Sequence, residues 1–372
     1  MRIWHIGALS SPHRVDGTNV TVWQLAREQA LLDHQVALLL DDQPDEAAVT
    51  LTEQTGLKLL RIPTNMWHYK EVLESLLRSE PPEVLHVHRV FVPKQAILER
   101  SLAEYKIPSV VTPHGAIDFQ RRRARKRLYV WLVEKSRFYR ASAVTVVAPQ
   151  EEKAVRAVAP GYGGIVRWIP NPIDTHSLEE HSWKGNTEEK RLIFLGRFHV
   201  VHKGIDILVD IARFAPSVEF RLYGVEDIKT KGMLQRLKRR LPPNVYFHGP
   251  VFGAEKTQAL VDASLYIQAS RWEGFPISVA EAMYLGVPCA VAPSLYQAEL
   301  FRQQNLGLVL PLNPKEAATR LLEVLAQPTQ LQGWSERARA YARAHFSPRS
   351  AALSYLKLYE EVLYGCKRPS SH

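Results

Sequence analysis

Cysteine is almost missing: the chain has two in 372 residues, Cys289 and Cys366, neither with a Cys or His neighbour at zinc-ligand spacing. That excludes a disulfide framework and a thiolate metal centre, and fits a reducing, intracellular setting. Long apolar runs are missing too. Stretches such as Leu128 to Val133 fall far short of the roughly 20 residues that a membrane-spanning helix needs. At the start, MRIWHIGAL carries a charge and an apolar stretch, but His5 interrupts it and no small-residue cleavage site follows, so a first buried strand is expected there and not a leader. Nor is there an excess that would signal disorder or low complexity, with 23% charged and 9% aromatic residues.

What is present is 46% hydrophobic residues over a length suited to two domains, and a net charge of +10. The charge favours an anionic partner: nucleic acid, a membrane surface or a phosphorylated substrate. It is also local. Residues 121–140 (RRRARKRLYVWLVEKSRFYR) hold nine of the 48 basic residues and one of the 38 acidic ones, so this segment alone supplies +8 of the total.

Short β-rich runs alternate with helical-period segments from end to end, the pattern of an α/β chain with parallel sheets covered by helices. Strands are expected at Arg2–Leu9, Gln35–Asp41, Leu57–Pro63, Val84–Arg89, Ser109–His114 and Ala143–Ala148, and again at Arg191–Phe198, Val218–Tyr223, Val245–Gly249, Leu265–Ala269, Pro288–Ala292 and Leu306–Leu310. The rhythm breaks at residues 171–190, a polar stretch with Pro172, Gly185 and seven charged residues. This division gives a first domain over 1–170, a linker over 171–190, a second domain over 191–346, a C-terminal helix over 347–364 and a flexible tail over 365–372.

Ser270 to Pro288 (SRWEGFPISVAEAMYLGVP) is the densest segment chemically. It follows a strand, turns through Glu273, Gly274, Phe275 and Pro276, and opens a helix with the proline at or near its first position. The free N–H groups of such a helix start attract anions, helped by the helix dipole. Glu273 lies in the turn and Glu281 along the helix, and carboxylates accept hydrogen bonds from hydroxyls. Phosphate at the helix end and hydroxyls at the carboxylates together describe a sugar nucleotide.

These residues resemble glycosyltransferase family 4, retaining transferases built from two facing Rossmann-like domains and known as the GT-B fold. The family's mark, Glu-Gly-Phe/Leu-x, four residues, then Glu-Ala-Met/Leu-x-x-Gly-x-Pro, is matched by Glu273, Gly274, Phe275, Pro276, Glu281, Ala282, Met283, Gly286 and Pro288. FLGRFHVVHKG resembles the strand and loop whose Arg and Lys hold the donor diphosphate, which implies Arg197 and Lys203 as a phosphate clamp. The strand ending in Thr112, Pro113, His114 and Gly115 resembles the family's His-Gly, whose imidazole reaches the transferred sugar.

By the same resemblance, Glu273 orients sugar hydroxyls, Glu281 the ribose, and Gly274, Phe275, Pro276 and Ile277 line the donor. Gly17 stands where the family places a Gly-Gly pair, with Asp16 replacing the first glycine, and Thr18 or Asn19 can cap the helix that follows. Tyr296 and Gln297 replace a second pair of glycines, while Glu299 keeps the acid after them. IPNPID resembles the interdomain segment, and VYFHGPV the strand before the nucleobase, where Phe252 is either a base contact or an ordinary core residue and His248 is structural. A C-terminal helix packing back on the first domain is implied as well.

The implied reaction moves a sugar from a UDP- or GDP-linked donor to an acceptor hydroxyl, lipid-linked or polysaccharide, with retention. It needs neither metal nor cofactor, in keeping with the lack of an Asp-x-Asp at a strand end, since Asp41 and Asp42 are adjacent. Competing readings are a sugar-nucleotide epimerase, a non-catalytic nucleotide-sugar binder, and a glycosidase using two carboxylates. The last leaves Arg197 and Lys203 without a purpose. The basic segment, with Arg121, Arg122, Arg123, Arg125, Lys126 and Arg127 beside Trp131, reads as an amphipathic helix in which Leu128, Trp131, Leu132 and Phe138 share a stripe. An anionic membrane surface or acceptor fits it better than nucleic acid. The expected location is cytoplasmic, peripheral on the inner face of a membrane.

Overall fold

Each expected run of Val, Ile and Leu forms a strand, and each sheet buries both faces, which is why the runs show near-continuous hydrophobicity instead of strict alternation. In a computed structural model of the chain, described for all residues except 15, 64–65, 94–98, 100–103, 118–127, 186–187 and 366–372, the chain divides into two units. One comprises Met1–Ile173 and the chain from Ser347 onward; the other comprises Asp174–Phe346.

Among its described residues the first unit has seven strands: β1 (Arg2–Ile6), β2 (Gln35–Leu40), β3 (Lys58–Arg61), β4 (Val84–His88), β5 (Ser109–Thr112), β6 (Ala143–Val146) and β7 (Ile165–Trp168). All pairs are parallel, in the order β3-β2-β1-β4-β5-β6-β7. Trp4, Ile6, Leu39, Leu85, Val87 and Val144 pack one face. Ile3, Val36, Leu38, Val84 and Val110 pack the other, against Val22 and Leu25 of the helix Gly17–Leu31 and Tyr355 and Tyr359 of the C-terminal helix Pro348–Gly365. That C-terminal helix is thus part of the first unit's core, as the family resemblance implies. The edge strand β7 escapes the sequence reading because its four residues, IVRW, are only half buried and follow two glycines.

Among its described residues the second unit has six strands: β8 (Arg191–Leu195), β9 (Glu219–Tyr223), β10 (Val245–His248), β11 (Leu265–Gln268), β12 (Cys289–Val291) and β13 (Leu308–Val309). Their order is β10-β9-β8-β11-β12-β13, again parallel. Segment 174–190 packs on this unit: the Trp183 indole N–H donates to the Ala263 carbonyl at 2.8 Å and its backbone N–H to Leu285 at 2.9 Å. In both sheets the order reverses beside the first strand, between β1 and β4 and between β8 and β11. Loops leaving the C-terminal ends of those strands are where an open α/β sheet holds a ligand.

Candidate active site

At the second switch point the loop after β8 and the loop after β11 bring Lys203 and Glu273 together. Lys203 Nζ donates to Glu273 Oε1 at 2.6 Å. The close approach depends on Gly204, whose φ is +66° and whose Cβ, were there one, would lie 2.0 Å from the Ala269 carbonyl oxygen. Any side chain there would push Lys203 off the strand end. Glu273 Oε1 also accepts from Ser270 Oγ at 2.7 Å and Gln268 Nε2 at 3.2 Å.

His202 Nε2 lies 3.7 Å from Glu273 Oε2 and bonds the Trp272 carbonyl at 2.9 Å, with its ring stacked on Trp272. Burial pushes the His202 pKa down, against the pull of the Glu273 charge. Arg271 closes the loop with a fork of two bonds to Asp206, 2.9 and 2.7 Å, and a third to the Val201 carbonyl. None of these supports follows from the motif, which names only the glutamates.

The helix Ile277–Leu285 begins directly after Pro276, which is its N-cap and not its first residue. Its first-turn N–H groups are open in the helical sense. Glu281, on this helix, is buried and accepts from Lys256 Nζ at 2.7 Å. Lys256 sits on the helix Gly253–Val261 and carries no motif that would reveal it. Phe252, the N-cap of that helix, is 59% exposed. Arg197 is not drawn to Lys203: its side chain is 67% exposed, with Nη1 3.6 Å from Asp227 Oδ2. Phe275 packs edge-on against Phe346, with ring centroids 5.4 Å apart.

In the first unit, backbone strain gathers at the strand ends. His114, Arg89 and Phe91 hold left-handed φ values of 52°, 83° and 66°, a conformation that costs energy in residues other than glycine and clusters at functional sites. His114 is half buried just beyond β5, and both its ring nitrogens have partners: Nε2 lies 3.0 Å from His88 Nδ1, and Nδ1 3.1 Å from Asn171 Oδ1. Burial lowers its pKa to about 4. Beneath it, Glu151 accepts from the Gly115 N–H at 2.6 Å and the Val147 N–H at 3.0 Å. Burial pushes the Glu151 pKa up to about 7 despite these two bonds.

Two expectations need correction. Neither Thr18 nor Asn19 caps the first helix; Asp16 does, accepting from both their N–H groups. Asn19 is buried instead, and braces the preceding loop through Leu9, Ser11 and Arg14. Gly17 is the helix's first residue. Phe138 does not share the exposed stripe: it is fully buried, while Leu128, Trp131 and Leu132 are 56%, 63% and 57% exposed. Arg137 also turns inward, paired with Glu99 and Glu134, because a π-helical turn at Val130–Glu134 shifts the register of the helix Lys135–Arg140. Arg121, Arg122, Arg123, Arg125, Lys126 and Arg127 lie outside the described residues.

Two Rossmann-like units of parallel sheet, with an acid and a lysine meeting at the switch point of the second, have the architecture of the GT-B glycosyltransferases. Comparison with known proteins agrees. Residues 15–177 match the family model described as Glycosyltransferase Family 4, and residues 189–327 the one described as Glycosyl transferases group 1. The chain belongs to glycosyltransferase family 4 and is a glycosyltransferase.

It is 25% identical over 332 residues, 81% of this chain and 80% of the relative, to a phosphatidyl-myo-inositol mannosyltransferase of Mycobacterium tuberculosis. Similar solved structures include sucrose-phosphate synthase from Thermosynechococcus elongatus, at 19% identity and a TM-score of 0.75, covering 98% of this chain and 100% of that one. Anabaena HepE in complex with UDP-glucose matches at 16% identity and a TM-score of 0.74, covering 97% and 100%. At such identities these structures establish the fold.

Proposed function

We propose that this glycosyltransferase moves a sugar with retention from a UDP- or GDP-linked donor to a hydroxyl of a lipid-linked or polysaccharide acceptor, without a metal. The observation that carries it is the Lys203–Glu273 pair at 2.6 Å, beside the start of the helix Ile277–Leu285 and at the end of the central strands. Lys203 and Arg197 take the diphosphate, together with the helix N–H groups, and stabilise the charge it gains on leaving. Glu273, steadied by Ser270 and Gln268, orients sugar hydroxyls. Glu281 binds the ribose, Phe252 contacts the base, and the first domain contributes His114. The anomeric carbon loses its bond to the diphosphate oxygen and gains one to the acceptor oxygen on the same face, while the acceptor's proton passes to the departing diphosphate.

The Mycobacterium relative named a phosphatidyl-myo-inositol mannosyltransferase and the Anabaena structure with UDP-glucose support this class of donor and acceptor. A panel of UDP- and GDP-sugars, tested with lipid and oligosaccharide acceptors in the presence of EDTA, should give free nucleoside diphosphate and a glycosylated product of unchanged anomeric configuration. An epimerised donor, an inverted product or loss of turnover on chelation would overturn the reading.

The lipid acceptor is favoured by the exposed Leu128, Trp131 and Leu132, which follow directly on the basic residues 121–127. An apolar strip beside Arg and Lys suits an anionic bilayer surface. Among the described residues no helix is long and apolar enough to cross a membrane, so contact would be peripheral. Co-sedimentation with phosphatidylglycerol vesicles, reduced when Arg121, Arg122 and Arg123 become Glu, is expected; equal binding to neutral phosphatidylcholine vesicles would contradict it.

A further inference from the structure

The first unit buries a polar seam inside an otherwise apolar face. His5 on β1 and His86 and His88 on β4 are all fully buried, with ring centroids 3.8 to 5.3 Å apart. Their nitrogens lie close enough together to suggest a metal cage. Two facts argue against one. Every ring nitrogen already has a protein partner: His5 has Gln29 and His88, His88 has His5 and His114, and His86 has Tyr359 and Thr112. No carboxylate stands among those partners to balance a divalent cation, and an uncompensated buried charge is costly.

Three of the rings form a line. Gln29 Oε1 meets His5 Nε2 at 2.7 Å, His5 Nδ1 meets His88 Nε2 at 3.0 Å, His88 Nδ1 meets His114 Nε2 at 3.0 Å, and His114 Nδ1 meets Asn171 Oδ1 at 3.1 Å. Four contacts need four protons on nitrogen, whereas three neutral imidazoles supply three. Burial lowers the pKa of all three rings, so none holds a fourth proton near neutrality. One terminal amide must therefore present its N–H.

Whichever amide it is, all three rings must donate in the same direction. With Gln29 accepting, His5, His88 and His114 each donate from Nε2 and Asn171 donates to His114 Nδ1; with Asn171 accepting, each ring donates from Nδ1 and Gln29 donates to His5. Either end of the Gln29 amide suits the Tyr359 hydroxyl, 3.5 Å from Gln29 and 2.6 Å from His86 Nδ1, because a hydroxyl both donates and accepts.

We propose that Gln29, His5 and His88 are positioning residues, a buried chain that holds His114 in one orientation and in one neutral tautomer, the same for all three rings. This rests on the role given above to His114 in transfer.

The test separates the chain from the function. Nitrogen-15 NMR of histidine-labelled full-length protein at neutral pH, with His114 assigned by its loss in His114→Gln, reads the tautomer without any substrate. Protonation of His114 at a single ring nitrogen is expected, giving way to a mixture of tautomers in Gln29→Leu. A mixture of tautomers or an imidazolium in the native protein would overturn the proposal.

In parallel, release of nucleoside diphosphate from UDP-glucose and GDP-mannose is followed in the presence of acceptor. His88→Leu should lower kcat about 10-fold or more with little change in KM, because the group it orients is displaced by a fraction of an ångström. His88→Gln should restore much of it, since its amide can either accept from or donate to His114 Nε2. Native kcat in His88→Leu refutes the positioning role. A native protein inactive with every nucleotide sugar refutes the transfer reading and leaves the NMR result to judge the chain.

Discussion

The strand ends of the two domains are built from opposite materials. In the second, charges meet in pairs: Lys203 with Glu273, Lys256 with Glu281 and Arg271 with Asp206. In the first, one charged pair, Arg89 with Asp16, stands beside a cluster of imidazoles, amides and hydroxyls around His114 that satisfy one another. In the proposed reaction a lysine still 20% exposed and paired with one carboxylate can be shared with an incoming diphosphate, because the competing anion carries more charge. A neutral buried chain has nothing to exchange. It can hold an orientation and lose it only as a whole. The second domain is thus suited to capture an anion and the first to aim a ring.

The comparison breaks most easily at Lys203 and Glu273. Lys203→Ala and Glu273→Ala should each reduce transfer by about 10²–10³-fold, the usual cost of removing a group that stabilises developing charge, while circular dichroism and melting change little. Near-native turnover in either would remove the charge-paired site from the chemistry.

The next largest effect distinguishes the domains by acid. An unfolded imidazole titrates near 6.5, whereas His5 is held down to about 4 by burial. Between those values the unfolded chain binds the extra proton, so stability is complete above about 6.5 and is lost as the pH falls towards 4, by about 3 kcal/mol for this one ring. His86, His88 and His114 are lowered in the same direction. Glu151 opposes them: its raised pKa adds stability at low pH that disappears as pH rises through about 7. Four rings outweigh one carboxyl. Hydrogen exchange at pH 5 against pH 7.5 should show the first domain losing protection before the second, and equal loss in both would cancel the contrast.

Lys256→Met tests whether the second pair belongs to the nucleotide site. UDP should bind several-fold more weakly with kcat nearly unchanged, the pattern of lost uniform binding. Unchanged affinity would make the Lys256–Glu281 pair purely structural.

What the sequence reveals differs between the same two regions. The glutamates at 273 and 281 announce themselves through a fixed spacing, and twelve of the thirteen strands among the described residues through their apolar runs. Lys256, Asp206 and Arg271 stay hidden because an ion pair between separate elements has no spacing to read. The imidazole chain lies between these extremes. His86 and His88 alternate with Leu85 and Val87 in β4, and period two places both rings on one face, together with His5 across the parallel pair. That signal was present in the pattern LHVH; what it lacked was any sign that Gln29, Tyr359 and Asn171 would complete the chain. The exposed stripe misled for a different reason, since a π-helical turn moves Arg137 and Phe138 away from where a regular helix would place them.

The smallest expected effect follows from that last point. Trp131 and Phe138 lie seven residues apart, yet Trp131 is 63% exposed and Phe138 fully buried against Val130 and Val144 of the first domain's core. Removing a buried aromatic ring costs about 3–5 kcal/mol through lost transfer energy and the cavity left behind. Trp131→Ser with Leu132→Ser removes surface that the fold leaves in water, so the change in unfolding free energy should stay within about 0.5 kcal/mol, measured by denaturant titration. If the double variant melts like native protein yet no longer sediments with phosphatidylglycerol vesicles, these side chains serve the membrane alone. If it loses several kcal/mol, the stripe is covered within the protein itself, and the bilayer has no claim on it.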